Sequence, residues 1–127
     1  ILKFEYQNHS LNLVRLAKEV SSKYHIKLTS GNYCWVMGPM YETPEEIQYF
    51  KNINGTAVGM SAFPEVEEAR KLNLNTLTLS LLTNYASGLS EHLLTHKEVL
   101  ENALKSKNDF AKFIINLIKR IKDENKN

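Results

Sequence analysis

The 127 residues include one cysteine, one tryptophan, three prolines and five glycines. The single Cys34 excludes an intramolecular disulfide framework and a cysteine-based structural zinc site, and it points to a reducing compartment. The small amount of Pro and Gly excludes collagen-like and low-complexity chains. No apolar run approaches the ~20 residues of a membrane span, and no signal-peptide pattern is found. Charge excess is missing as well. Sixteen Lys plus Arg against fourteen Asp plus Glu leave a formal +2, with the two signs interleaved, so neither a nucleic-acid nor a membrane partner is expected. Walker and dinucleotide loops are excluded too, because neither G-x-G-x-x-G nor G-K-[ST] occurs. What remains is a folding composition, 43% hydrophobic and 24% charged, of a size suited to one soluble domain. The chain opens at Ile1 without an initiator Met, and the expectation is that it opens inside a larger unit.

Hydrophobic periodicity orders the chain. Leu11, Leu13, Val14, Leu16, Ala17 and Val20 recur at three- and four-residue steps, predicting a helix over Ser10 to Lys23 with Ser10 as N-cap. Asn32 to Met37 is a short aromatic and β-branched run that stops at Gly38-Pro39, which predicts a buried strand. Thr43-Pro44-Glu45-Glu46 is a capping-box start for a helix reaching about Asn52. Thr56 to Met60 predicts a second strand, Phe63-Pro64-Glu65 opens a further helix, and Asn75 to Leu82 alternates as a third strand with a buried C-terminal end. Apolar residues from Val99 to Ile121 predict one long or broken helix over about Thr95 to Lys122. Alternating strands and helices imply an α/β fold, a mostly parallel or mixed central sheet flanked by helices. Ligands then sit beyond the carboxyl ends of strands, which selects three loops: Gly38 to Glu42, Met60 to Pro64, and Thr83 to Gly88.

Each loop has a chemical and a plain reading. In the first, Glu42 can accept hydrogen bonds from the N–H groups of a flat heterocycle while Tyr41 walls its face; alternatively Glu42 complements a helix dipole and Tyr41 packs. In the second, backbone N–H groups and the Ser61 hydroxyl can meet an anion or a sugar hydroxyl; alternatively Met60 fills core and Ser61 caps a helix. In the third, Asn84 can donate to a carbonyl oxygen and accept from an adjacent N–H, which suits an oxopurine edge, or it is a turn residue. His92 and His96 stand four apart, but without an H-E-x-x-H arrangement or a cysteine partner no metal site is expected. His96 at the start of the last helix is better suited to hydrogen bonding a ligand hydroxyl.

Three blocks together, GNYCWVMGPMYETPEEI (Gly31 to Ile47), GTAVGMSAFPEVEEAR (Gly55 to Arg70) and LSLLTNYASG (Leu79 to Gly88), followed by THKEVL (Thr95 to Leu100), resemble the C-terminal half of the trimeric purine nucleoside phosphorylases, a family that includes methylthioadenosine phosphorylase. The resemblance implies a nucleoside phosphorylase-like α/β fold in which residues 1–127 form the C-terminal part of a single domain. It implies that Glu42 binds the purine N1–H edge, Tyr41 forms the aromatic wall, Met60 lines the ribose and Ser61 contacts phosphate. Asn84 then reads the 6-oxo group and N7, His96 stands near the ribose 5′-hydroxyl, and Val58, Gly59 and Thr83 line the same pocket. Asn rather than Asp at position 84 implies inosine and guanosine over adenosine. Inorganic phosphate is the co-substrate, and no other cofactor and no metal are implied. A homotrimer in the cytoplasm is implied as well, with Phe4 a candidate for the aromatic residue that a neighbouring subunit lends. Three positions depart from the family pattern: Ala62 stands for a frequent Thr, Met37 for a small residue, and Tyr41 for a usual Phe. The family's other phosphate ligands have no counterpart here, so the isolated chain is expected to be inactive. A non-catalytic purine-binding or oligomerisation module, and a methylthioadenosine phosphorylase-like enzyme, are the alternatives.

Overall fold

A computed structural model describes residues 2–3, 10–89 and 96–126. Phe4, His9 and His92 lie outside the described residues. The elements run β1 (Leu2–Lys3), α1 (Leu11–Tyr24), β2 (Tyr33–Trp35), α2 (Pro44–Asn52), β3 (Ala57–Gly59), α3 (Phe63–Lys71) and α4 (His96–Glu124). The three strands form one mixed sheet in the order β1-β2-β3. β1 is antiparallel to β2, and β2 is parallel to β3 with Tyr33 opposite Ala57, Cys34 opposite Val58 and Trp35 opposite Gly59.

Helix ends follow local chemistry. Ser10 caps α1, its Oγ accepting from the Leu13 N–H at 3.4 Å. The helix stops at His25, whose φ of 54° turns its N–H back to the carbonyls of Ser21 and Ser22. At α2 the capping box closes in both directions: the Glu46 N–H donates to Thr43 Oγ1 at 3.3 Å, and the Thr43 N–H donates to Glu46 Oε2 at 2.8 Å.

Two apolar clusters hold the chain. In the first, α1 packs on α4 through Leu16, Ala17, Val20, Phe113 and Leu117, with Leu28, Leu77 and Leu79 against them. Ion pairs close its edge. Arg15 bonds Glu19 and Glu124, and Arg120 bonds Glu19 at 3.1 Å and Glu124 at 2.7 Å. Hydrogen bonding from Arg120, then from Arg15, holds the Glu124 carboxyl below its ordinary range. The second cluster is Cys34, Ile47 and Phe50, with Val36, Val58 and Ala86 packed on it. Cys34 has no solvent exposure. Trp35 stacks on Phe63 at 5.0 Å between ring centroids.

The alternating stretch Asn75 to Leu82 departs from its predicted form. It carries no strand ladder among the described residues, and the expected burial of its C-terminal end is reversed, Leu82 being 65% exposed. Leu77 and Leu79 do face the α1–α4 cluster, as a period of two requires. Alternation can select a face locally, but a ladder needs a second backbone alongside. The β1 pairing is the converse case, since two residues are too few to show a period.

Candidate active site

The loop after β2 and the loop after β3 leave the same end of the parallel pair, which brings the first two predicted loops together. The Val36 N–H donates to the Gly59 carbonyl at 3.0 Å, tying the start of one loop to the end of the other strand. Gly38 has a φ of +71°, and a Cβ there would lie 2.6 Å from Met60 Sδ. Met60 thus lies across Gly38, a place that only a residue without a side chain leaves open. The third loop joins from above α2. A Cβ on Gly88 would meet the Pro44 side chain at 3.0 Å, and Ala86 packs on the Cys34–Ile47–Phe50 cluster. Ala86 and Gly88 therefore set the C-terminal part of the third loop against α2, Gly88 on its first residue Pro44.

Within this convergence Tyr41 and Met60 are exposed, and Glu42 is half-buried between Tyr41 and the Thr43 cap. Ser61 is exposed and does not cap α3; that place belongs to Ala62, which makes no side-chain cap bond and has a φ of 74°. Val58 turns its side chain into the second cluster, and Gly59 closes β3. Thr83 and Asn84 form a small polar unit. The Thr83 hydroxyl donates to Asn84 Oδ1 at 2.8 Å, and Asn84 Nδ2 donates to the Tyr85 carbonyl at 2.9 Å. A carboxamide carries two acceptor and two donor positions, and these two bonds use one of each. His96 opens α4. No group of His, Cys, Asp or Glu among the described residues is arranged to hold a metal, and no described helix is long and apolar enough to cross a membrane.

Two contributors escape sequence reasoning. The Tyr33 hydroxyl stands over Gly59, where a Cβ would come within 2.3 Å of it, and it accepts from the Ser61 N–H at 3.4 Å. Asn102 of α4 donates through Nδ2 to the Thr83 carbonyl at 2.7 Å. Both contacts span long sequence separations, which no local pattern carries. A groove of about 440 Å³ between α1, α4 and the segments 26–33 and 77–82 lies apart from these loops. Its walls include Ala17, Leu28, Tyr33, Leu79 and Phe113, and none of the site residues selected from the sequence lines it.

The model of the phosphorylase superfamily matches residues 6–119. Purine nucleoside phosphorylase 1 of Geobacillus stearothermophilus is 38% identical over 113 residues, which cover 89% of this chain and 41% of that protein. The 6-oxopurine nucleoside phosphorylase of Pyrococcus furiosus is 37% identical over 112 residues, covering 88% and 41%. A probable S-methyl-5′-thioinosine phosphorylase of Methanocaldococcus jannaschii is 37% identical over 106 residues, covering 84% and 42%. Among solved structures, a Schistosoma purine nucleoside phosphorylase in complex with hypoxanthine superposes with a TM-score of 0.83 at 27% identity, covering 92% of this chain and 43% of that one. The chain thus spans about two-fifths of the length of the relatives it matches.

Proposed function

This chain belongs to the phosphorylase superfamily, and from that premise we propose that it carries the purine-binding part, with some of the ribose and phosphate contacts, of a purine nucleoside phosphorylase acting on 6-oxopurine nucleosides. The observation that supports this reading best is the meeting of the first two loops at Gly38 and Met60, with the third loop set against Pro44 through Gly88 and carrying an asparagine that keeps one donor and one acceptor outside its own loop. In the proposed reaction phosphate attacks C1′ of the nucleoside and the N9–C1′ bond breaks. The ribosyl group passes through a cation-like state while its electrons leave on the purine. Glu42 holds the N1–H edge. Asn84 donates to O6, and as the electrons of the broken bond arrive on the purine, N7 takes a proton from water and Asn84 Oδ1 accepts from the N7–H so formed, contacts that tighten as charge develops on the departing base. Tyr41 covers the ring, and Met60 lines the ribose together with Gly59 and the backbone at Val58. The Ser61 hydroxyl meets phosphate, and to His96 we assign the 5′-hydroxyl. Phosphate is the co-substrate, and the reaction as proposed needs no metal.

The relative named for 6-oxopurine nucleosides supports the choice of base. The relative named for S-methyl-5′-thioinosine favours a second reading in which the base is unchanged and the 5′ substituent differs. Comparing phosphorolysis of inosine with that of its 5′-methylthio analogue, in a protein that contains the whole fold, separates the two. We further place the whole protein in the cytoplasm as a homotrimer.

Titration calorimetry with hypoxanthine tests the base pocket on the 127-residue chain. The expected outcome is binding that weakens roughly ten-fold or more in Asn84→Ala and in Glu42→Ala, since each removes hydrogen bonds to a polar edge worth about 1–3 kcal/mol. Unchanged affinity in both variants would remove these residues from the site. The chain alone is expected to release no hypoxanthine from inosine and phosphate. Turnover by these 127 residues would overturn the view that further phosphate contacts come from the rest of the fold.

A further inference from the structure

Asn84 can read a base only if its carboxamide is held with the oxygen and the nitrogen on defined sides. A free asparagine rotates between both orientations. Here the Thr83 hydroxyl fixes the oxygen side and the Tyr85 carbonyl fixes the nitrogen side. This small unit stands at the end of the stretch 74–82, whose backbone is tied near its start, the Ser10 N–H donating to the Thr76 carbonyl at 3.0 Å, and whose far end at Thr83 has a hold of its own. The hold comes from α4: Asn102 Nδ2 donates to the Thr83 carbonyl at 2.7 Å in a half-buried position. Position 102 lies inside a 29-residue helix, where Asn is a poorer helix former than Ala, Leu, Glu or Lys. The Asn102 amide reaches outside its helix to the Thr83 carbonyl, unlike that of Asn116, which turns back to the Lys112 carbonyl of α4 itself.

Resting on the purine-binding reading above, we infer that Asn102 is a positioning residue for the base reader. It holds the Thr83 peptide, Thr83 sets the side-chain orientation of Asn84, and Asn84 meets the 6-oxo edge. Helix α4 supports this relay, since Phe113, Leu117 and the ion pairs Arg120–Glu19 and Arg15–Glu124 hold it to α1.

Asn102→Leu separates this role from a merely structural one. Leucine is close in size and favours helix, so the variant keeps or raises the melting temperature while losing the donor. Hypoxanthine affinity is expected to fall roughly 3- to 10-fold, the range for one part-buried hydrogen bond, and the preference for hypoxanthine over unsubstituted purine, which has no 6-oxo group, is expected to fall with it. Asn102→Gln, which keeps the amide donor, recovers part of that preference. An unchanged preference in Asn102→Leu, measured alongside an Asn84→Ala control that does weaken binding, overturns the relay and leaves the base pocket standing. An Asn84→Ala control without effect instead removes the base-reading role itself. A second readout needs no ligand: the two side-chain amide proton signals of Asn84 should be well separated and sharp in the wild-type chain and should broaden or shift in Asn102→Leu. Signals unaltered by that substitution overturn the positioning role whether or not a purine binds.

Discussion

Gly38 sits at the crossing of the first two site loops with a φ of +71° and with Met60 Sδ where a methyl group would go. Gly38→Ala is therefore opposed twice, by the backbone and by the neighbour. The backbone alone costs about 1 kcal/mol, and Met60 can yield by moving its flexible thioether. The expected outcome is a destabilisation of about 1–2 kcal/mol in urea unfolding, together with weakened hypoxanthine binding as Met60 is displaced. Normal affinity at reduced stability would separate Met60 from the ligand. Ala62 shows what the same region of φ means for a residue that has a Cβ. Its 74° holds the turn from β3 into α3, a strained conformation of the kind kept where surrounding contacts over-determine it. Nothing in the chemistry of alanine announces that angle. Gly38, by contrast, is recognisable as a turn before Pro39, so one loop was legible at residue level and the other only in part.

Among elements, the junction of α1 with α4 combines apolar packing with ion pairs, and pH divides the two contributions. Glu124 is held below its ordinary value of 4.5 by Arg120 and Arg15. A depressed carboxyl stabilises the fold at all pH values above the unfolded pKa and loses that contribution as pH falls through the folded one. Thermal melts should thus show a flat plateau near neutrality and a decline beginning below about pH 4.5, and Glu124→Gln should remove part of that decline. The effect is modest because these groups are solvent-exposed. The elements also show what a linear pattern can carry. The capping box of α2 was legible because Thr43, Pro44 and Glu46 act within four residues. The ladder expected for Asn75 to Leu82 was not, because its formation depends on a backbone distant in sequence. Asn102 and Tyr33 were hidden for the same reason: each acts on a loop reached only through the fold. Glu42, Met60 and Asn84 were selected from sequence; the fold joins the first two loops at Gly38 and Met60 and sets Gly88 of the third against Pro44.

For the whole molecule, the division into two clusters is the governing feature. Leu16, 1% exposed, belongs to the α1–α4 cluster, while the site loops rest on the cluster around Cys34, Ile47 and Phe50. Leu16→Ala should cost about 2–5 kcal/mol. If the clusters open separately, hydrogen exchange will show lost protection in α1 and α4 with protection kept in β2, α2 and β3. Uniform loss would instead identify one cooperative unit. Coupling through Asn102 then acquires a physical meaning, since it joins a helix of one cluster to a loop resting on the other.

The burial of Cys34 has a practical side. Its sulfur is sealed beneath Phe50 and Gly55, where a Cβ on Gly55 would fall 2.5 Å from Sγ, and a thiol without solvent access reacts slowly with alkylating reagents. The native chain is consequently close to a blank for maleimide chemistry. A cysteine placed at the exposed Tyr85 would take a fluorophore almost alone, turning movement of the Asn84 loop into a signal that can be followed in real time.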